Sequence, residues 1–149
     1  IAWKQYSAHM LDRGLNALRM YPVPADVRRL MYKVKHAQGV DITRIFCGLN
    51  EVRNIIPSIK ICQGSGSIAA TLCITYSPVH TVEYYSRIAD QLIEAGAPEI
   101  CLKDMAGIGR PEMLGQTGEN NQGKTSRSDC PISWTYGAGL IDGVYFGGL

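Results

Sequence analysis

The chain has 149 residues, 46% of them hydrophobic and 19% charged, with a net charge of +2, which suits one globular domain with a real core and excludes a disordered chain. A charge of +2 with no basic stripe gives no ground for nucleic acid or an anionic membrane surface as partner. No apolar run approaches the roughly 20 residues of a membrane span, residues 1–10 lack the layout of a signal peptide, and the five cysteines form no Cys-x-x-Cys pair, so a reduced, cytoplasmic protein is expected.

A short apolar stretch at residues 8–11 leads into Arg13-Gly14. An arginine at a strand end can clamp a carboxylate with two parallel hydrogen bonds, or it can simply sit on the surface. Pro24-Ala25-Asp26 opens a helix in which Val27, Leu30, Met31 and Val34 keep helical spacing, and Gly39 ends it. Residues 42–46 follow as a strand, and the polar turn 48–51 breaks it. Residues 52–61 are apolar at helical spacing, with Pro57 predicting a short or kinked helix that stops at Gly64 and Gly66. Residues 68–75 are an almost unbroken run of small and apolar side chains, the pattern of a parallel strand covered on both faces. Ser77-Pro78 ends that strand. His80 in the loop behind it can line a site, and we place it with substrate binding.

Thr81 caps a helix through Ala95 that carries Val82, Tyr85, Ile88, Ala89 and Leu92 on one face. Gly96 closes this helix before the strand 100–103, which presents Lys103 at its carboxyl end. Strands alternating with helices at glycine-marked junctions are the grammar of βαβ units. Residues 39–47 are echoed at 96–104, two βα units further on, which suits either a (β/α) barrel segment or a doubly wound sheet. From about residue 115 the character changes. Half of the 16 glycines lie in 115–149, and 117–129 is almost wholly polar. The expected division is a barrel-like segment over 1–114 and an atypical Gly-rich tail over 115–149, with one more strand near 131–136.

Lys103 admits two readings. It can pair with Asp104 or another carboxylate at the sheet rim. Alternatively its amine is used, as a Schiff base or as a carbamate formed with CO₂, an anion able to ligate a metal. Residues 118–125 fit the phosphate-loop pattern G-x-x-x-x-G-K-[ST], but that loop needs a strand before it and a helix behind it. Neither flank reads that way, so nucleotide binding there is the weaker alternative. The histidines at 9, 36 and 80 show no metal-ligand spacing.

Arg13-Gly14-Leu15-Asn16, Asp41-Ile42-Thr43-Arg44-Ile45-Phe46, Leu49-Asn50-Glu51-Val52-Arg53-Asn54, Ser77-Pro78-Val79-His80-Thr81 and Leu102-Lys103-Asp104-Met105-Ala106-Gly107 occur in order. Together they resemble the carboxyltransferase domain of biotin-dependent enzymes: the oxaloacetate decarboxylase α subunit, the transcarboxylase central subunit and the pyruvate carboxylase domain. The resemblance covers roughly residues 8–114, and the Ser-Pro-Val-His-Thr stretch is closer to the decarboxylase and transcarboxylase members.

The resemblance implies a partial (β/α)₈ TIM barrel of about four βα units that moves a carboxyl group between carboxybiotin and pyruvate or oxaloacetate. It implies a divalent metal (zinc, cobalt or manganese), with Lys103 as a carboxylated ligand and Arg13 as the clamp for the substrate carboxylate. It also implies a biotin-carrier protein or domain as partner, with the membrane reached only through partner subunits. Departures from the pattern shape the expectation. The aspartate and the His-x-His ligands have no counterpart, Cys47 stands where the family has aspartate, and Leu15 and Met20 replace a glutamine and a tyrosine. A closed barrel takes about 250 residues. Impaired activity is therefore expected, restored by a complementing half-barrel or a homodimer. The alternative is a non-catalytic half-barrel that binds carboxylase subunits.

Overall fold

The computed structural model describes residues 7–75, 77–121 and 132–134. In chain order they form β1 (His9–Asp12), a 3₁₀ turn (Gly14–Asn16), α1 (Ala25–Ala37), β2 (Ile42–Phe46), α2 (Val52–Cys62), β3 (Ser67–Cys73), α3 (Val82–Glu94), β4 (Glu99–Asp104), α4 (Pro111–Asn121) and β5 (Ile132–Trp134). All strand pairs are parallel, and the order across the sheet is β1-β2-β3-β4-β5. A doubly wound sheet reverses its strand order at a switch point. This sheet never does, so it is an arc of a (β/α) barrel, the reading that the repeat alone left open.

The helices gather on one face. Ile45, Ala70, Leu72, Ile100 and Leu102 point from the strands into a core shared with Tyr32, Ile55, Ile59, Tyr85, Ile88, Leu92 and Leu114 of the helices. Each such isoleucine or leucine, taken fully out of water, contributes about 1.5–3 kcal/mol. Because side chains alternate along a strand, the intervening residues turn to the other face. There Ile42, Ala69 and Cys101 form a separate small cluster.

Local chemistry explains the helix limits. The Thr81 side chain accepts the Tyr84 N–H at the start of α3, and Glu51 accepts the Arg53 N–H at the start of α2. Pro57 does not end α2, which runs on to Cys62 and keeps Ile59 buried after it. Helix α1 departs from expectation more. Its buried residues are Arg28 and Tyr32; of the expected apolar positions Met31 packs against the core, while Val27, Leu30 and Val34 are 50%, 63% and 43% exposed. Arg28 is held inside because its Nε donates to the Val23 carbonyl at 3.1 Å and its Nη1 to Ser58 Oγ. Helix α4 runs straight across the compositional boundary between 114 and 115. The described part of the tail is therefore continuous with the barrel segment. Four described cysteines, at 47, 62, 73 and 101, are free thiols. No described helix is long and apolar enough to cross a membrane.

Candidate active site

The carboxyl ends of the strands, where reacting groups collect in barrels, are built here by three loops. After β1 the chain folds tightly. The Arg13 N–H donates to the Ala17 carbonyl at 3.0 Å, and the Asn16 N–H to the Arg13 carbonyl at 3.0 Å. Gly14 has φ +51°, and a Cβ there would lie 2.5 Å from the Asn54 carbonyl oxygen, so only glycine lets this turn sit against α2. After β2, the Asn50 amide clamps the last residue of β3. Its Nδ2 donates to the Cys73 carbonyl at 2.7 Å, and its Oδ1 accepts the Cys73 N–H at 2.8 Å. After β4, Asp104 turns to the helix side and accepts the N–H groups of Ile108 and Gly109 at 3.1 and 2.7 Å.

That placement decides one question. Asp104 is spoken for by backbone, and Lys103, its neighbour in an alternating strand, points to the opposite face. Lys103 is 9% exposed, and its Nζ lies 3.9 Å from the centroid of the Phe46 ring. Burial holds its ammonium below the usual lysine range. The Cys73 and Cys101 thiols oppose that shift, while Arg44 and Arg13 add to it. The Cys73 thiol is pushed up to about 11, chiefly by burial. Glu51 and Arg53 form an ion pair, and among the described residues Lys103 takes part in none.

Arg13 is exposed on the same side. Together with Leu11, Met20 and Phe46 it lines a cavity of about 290 Å³, and its Nη1 donates to Met20 Sδ at 3.3 Å. Phe46 thus lies beside both candidate groups, its ring facing the lysine and its side chain lining the cavity of the arginine. Sequence reasoning passed over Phe46. The available signal was strand alternation, which places Arg44 and Phe46 on one face once β2 is set beside β3 and β4.

His80 stands elsewhere. Its Nδ1 is 2.6 Å from Ser77 Oγ, and its ring packs edge-on against Tyr84 at 4.8 Å between centroids. It lines a separate cavity of about 550 Å³ with Ser77, Pro78, Arg110 and Met113. No residue lines both cavities. The structure therefore groups Arg13 with Lys103 and leaves His80 apart from them.

The implied metal can be tested against these donors. Among the described residues no three His, Cys, Asp or Glu side chains are grouped to hold an ion. Lys103 is the one member of the implied ligand set that can be placed, so these residues do not build a metal centre by themselves. In the phosphate-loop match at 118–125, Gly118–Asn121 form the end of α4, a helix where that motif needs a strand. Its residues 122–125 lie outside the described residues, as do Cys130, Thr135 and Tyr136.

No family model matches the chain. It is 41% identical over 103 residues to a pyruvate carboxylase subunit of Methanocaldococcus jannaschii, a match covering 68% of this chain and 18% of the relative. It is 38% identical over 104 residues to the methylmalonyl-CoA carboxyltransferase 5S subunit of Propionibacterium freudenreichii, covering 69% of this chain and 21% of the relative. The chain thus spans about a fifth of the length of these curated relatives. Among solved structures, the carboxyl transferase domain of Rhizobium etli pyruvate carboxylase with pyruvate superposes with a TM-score of 0.84 at 26% identity, covering 95% of this chain and 25% of that one.

Proposed function

From the membership of this chain, as a partial domain, in the carboxyltransferase family of biotin-dependent enzymes, we infer that it supplies part of a site that transfers a carboxyl group between carboxybiotin and a small ketoacid, pyruvate or oxaloacetate. The observation that carries the reading is Lys103: a buried amine without an ion pair among the described residues, at the carboxyl end of a barrel strand, beside the cavity that Arg13 lines. Burial disfavours the Lys103 ammonium and so favours the free amine relative to an exposed lysine. Counted from the ammonium, two protons leave: one frees the amine, and one is lost as its nitrogen bonds to the carbon of CO₂, leaving a carbamate anion where a cation stood. The Arg13 guanidinium is suited to the ketoacid carboxylate, because its fork matches two oxygens at once. Carboxybiotin arrives on a carrier protein or domain.

Oxaloacetate decarboxylation or transcarboxylation is favoured over pyruvate carboxylation by the Ser77–Thr81 stretch. A zinc, cobalt or manganese centre needs donors from outside the described residues. His80 binds substrate on this reading only if the ketoacid or the biotin reaches the second cavity.

The test is carboxyl transfer by the protein in its native assembly, read as oxaloacetate formed from pyruvate and carboxybiotin. Lys103→Ala is expected to lower turnover by about a hundredfold. Activity that survives the change overturns the assignment. The missing metal donors favour one second reading, a non-catalytic half-barrel that binds carboxylase subunits. It predicts co-purification with biotinylated protein and no turnover.

A further inference from the structure

We propose that Asp12 is a positioning residue for Arg13: tied to Tyr32 on the helix side of the sheet, its carboxylate fixes the end of β1 from which Arg13 reaches the concave face. The proposal rests on the reading of Arg13 as the carboxylate clamp. Strand β1 has four residues and, among the described strands, pairs only with β2. Its last ladder partner is Asp12, set against Ile45. Arg13 therefore leaves the sheet without ladder support, on a short edge strand of the kind that frays.

The turn bonds to Ala17 and Asn16 hold the Arg13 backbone from one side, and Asp12 holds the strand end from the other. It is fully buried, and Tyr32 of α1, 1% exposed, donates its hydroxyl hydrogen to Asp12 Oδ2 at 2.6 Å. Alternation does the rest. Met10 packs on the helix-side core, Leu11 and Arg13 line the opposite cavity, and Asp12 lies between them facing the helices. A shift of the Asp12 backbone therefore moves Arg13 by a similar amount, since they share a peptide bond.

The tie depends on charge. Burial raises the Asp12 carboxyl to about 6, against the pull of the Tyr32 hydrogen bond and the Arg28 charge. Its other oxygen, Oδ1, is buried and has no hydrogen-bond partner among the described residues, which adds to the cost of the anion. The titratable and charged groups that face it are Tyr32 and Arg28 from α1 and the Cys62 thiol from α2. Tyr32 is itself held above the usual tyrosine range by burial and by Asp12. When Asp12 takes up a proton, a charge-assisted hydrogen bond becomes an ordinary one, and such bonds are about half as strong.

The experiment follows the Nε–H resonance of Arg13 by nitrogen-15 NMR from pH 5 to 8, identified by its loss in Arg13→Lys, with pyruvate affinity measured in parallel. The resonance is expected to titrate with a midpoint near 6 in the unaltered chain and to stop titrating in Asp12→Asn. In Tyr32→Phe the midpoint is expected to move up by about one pH unit. Pyruvate binding is expected to weaken about fivefold between pH 7.5 and 5, and to lose this pH dependence in Asp12→Asn. A resonance that titrates unchanged in Asp12→Asn overturns the proposal. If that variant does not fold, an Arg13 midpoint unmoved in Tyr32→Phe overturns it equally. If Arg13 responds as expected while pyruvate binds at no pH, the positioning role stands and the clamp reading falls.

Discussion

Two buried ionisable residues work against the stability of the fold, and both sit where chemistry is proposed. For Asp12 the folded carboxyl titrates near 6 against an ordinary 3.8. A raised value means that the protonated form is the one the fold prefers. Its contribution to stability is thus complete below pH 3.8 and lost as the pH rises through 6. Over that window the loss is on the order of 2–3 kcal/mol. Urea melts of the unaltered chain and Asp12→Asn, at pH 4.5 and 7.5, should show the variant gaining by that order relative to the original as pH rises. A gap that narrows instead contradicts the burial argument. Lys103 runs the other way: its ammonium is disfavoured in the fold, so the penalty is largest below its folded pKa. Lys103→Met, which keeps the length and drops the charge, is expected to raise the melting temperature at pH 7 while removing any carbamate signal after exposure to carbon-13 bicarbonate. A lower melting temperature would mean that the Phe46 contact outweighs the burial cost.

The elements show which parts of this layout were legible beforehand. The strands at 42–46, 68–75 and 100–103 and the helix from Thr81 could be read because apolar runs, glycines and a threonine cap all agree there. The face of α1 could not. Its apolar spacing selects Val27, Leu30, Met31 and Val34, of which Met31 packs against the core, whereas packing buries Arg28 and Tyr32, whose polar ends find Ser58 of α2 and Asp12 of β1. Periodicity reports apolarity, and a buried polar pair leaves no mark in it. Lys103 and Arg13 were visible through motif order, but the link between them through Phe46 exists only when the strands are in register. The Asn50 clamp is likewise a tertiary fact, since Asn50 holds φ +53° and reaches a strand 23 residues away. Asn50→Ala removes both bonds to Cys73 and leaves its buried carbonyl without the Asn50 donor. It should cost about 2–3 kcal/mol in denaturant melts and speed hydrogen exchange at the Cys73 amide. Unchanged exchange would show that the β3 end is held by its ladder alone.

For the molecule as a whole, the sequential strand order and the one-sided helices leave two kinds of surface open. At the barrel's carboxyl rim, Leu18 and Met20 after β1, Leu49 after β2 and Met105 after β4 stand exposed. Beside it, β1 forms one margin of the described sheet, and the apolar stripe of α1 lies next to it. A strand edge unpaired among the described residues, together with exposed Val27, Leu30 and Val34, is a template for association, because backbone groups and apolar area are covered in one step. The matched Rhizobium etli domain extends over a chain four times the span covered here, which leaves ample structure to occupy that position in a larger assembly. Sedimentation velocity of this chain alone should therefore show association that grows with concentration, through a homodimer or larger species. Leu30→Lys with Val34→Glu, both on exposed helix positions, should return it to a monomer with an unchanged circular dichroism spectrum. If the double variant still associates, the contact lies on the carboxyl rim instead. A Met20→Lys, Leu49→Glu pair should then be the one that disperses it.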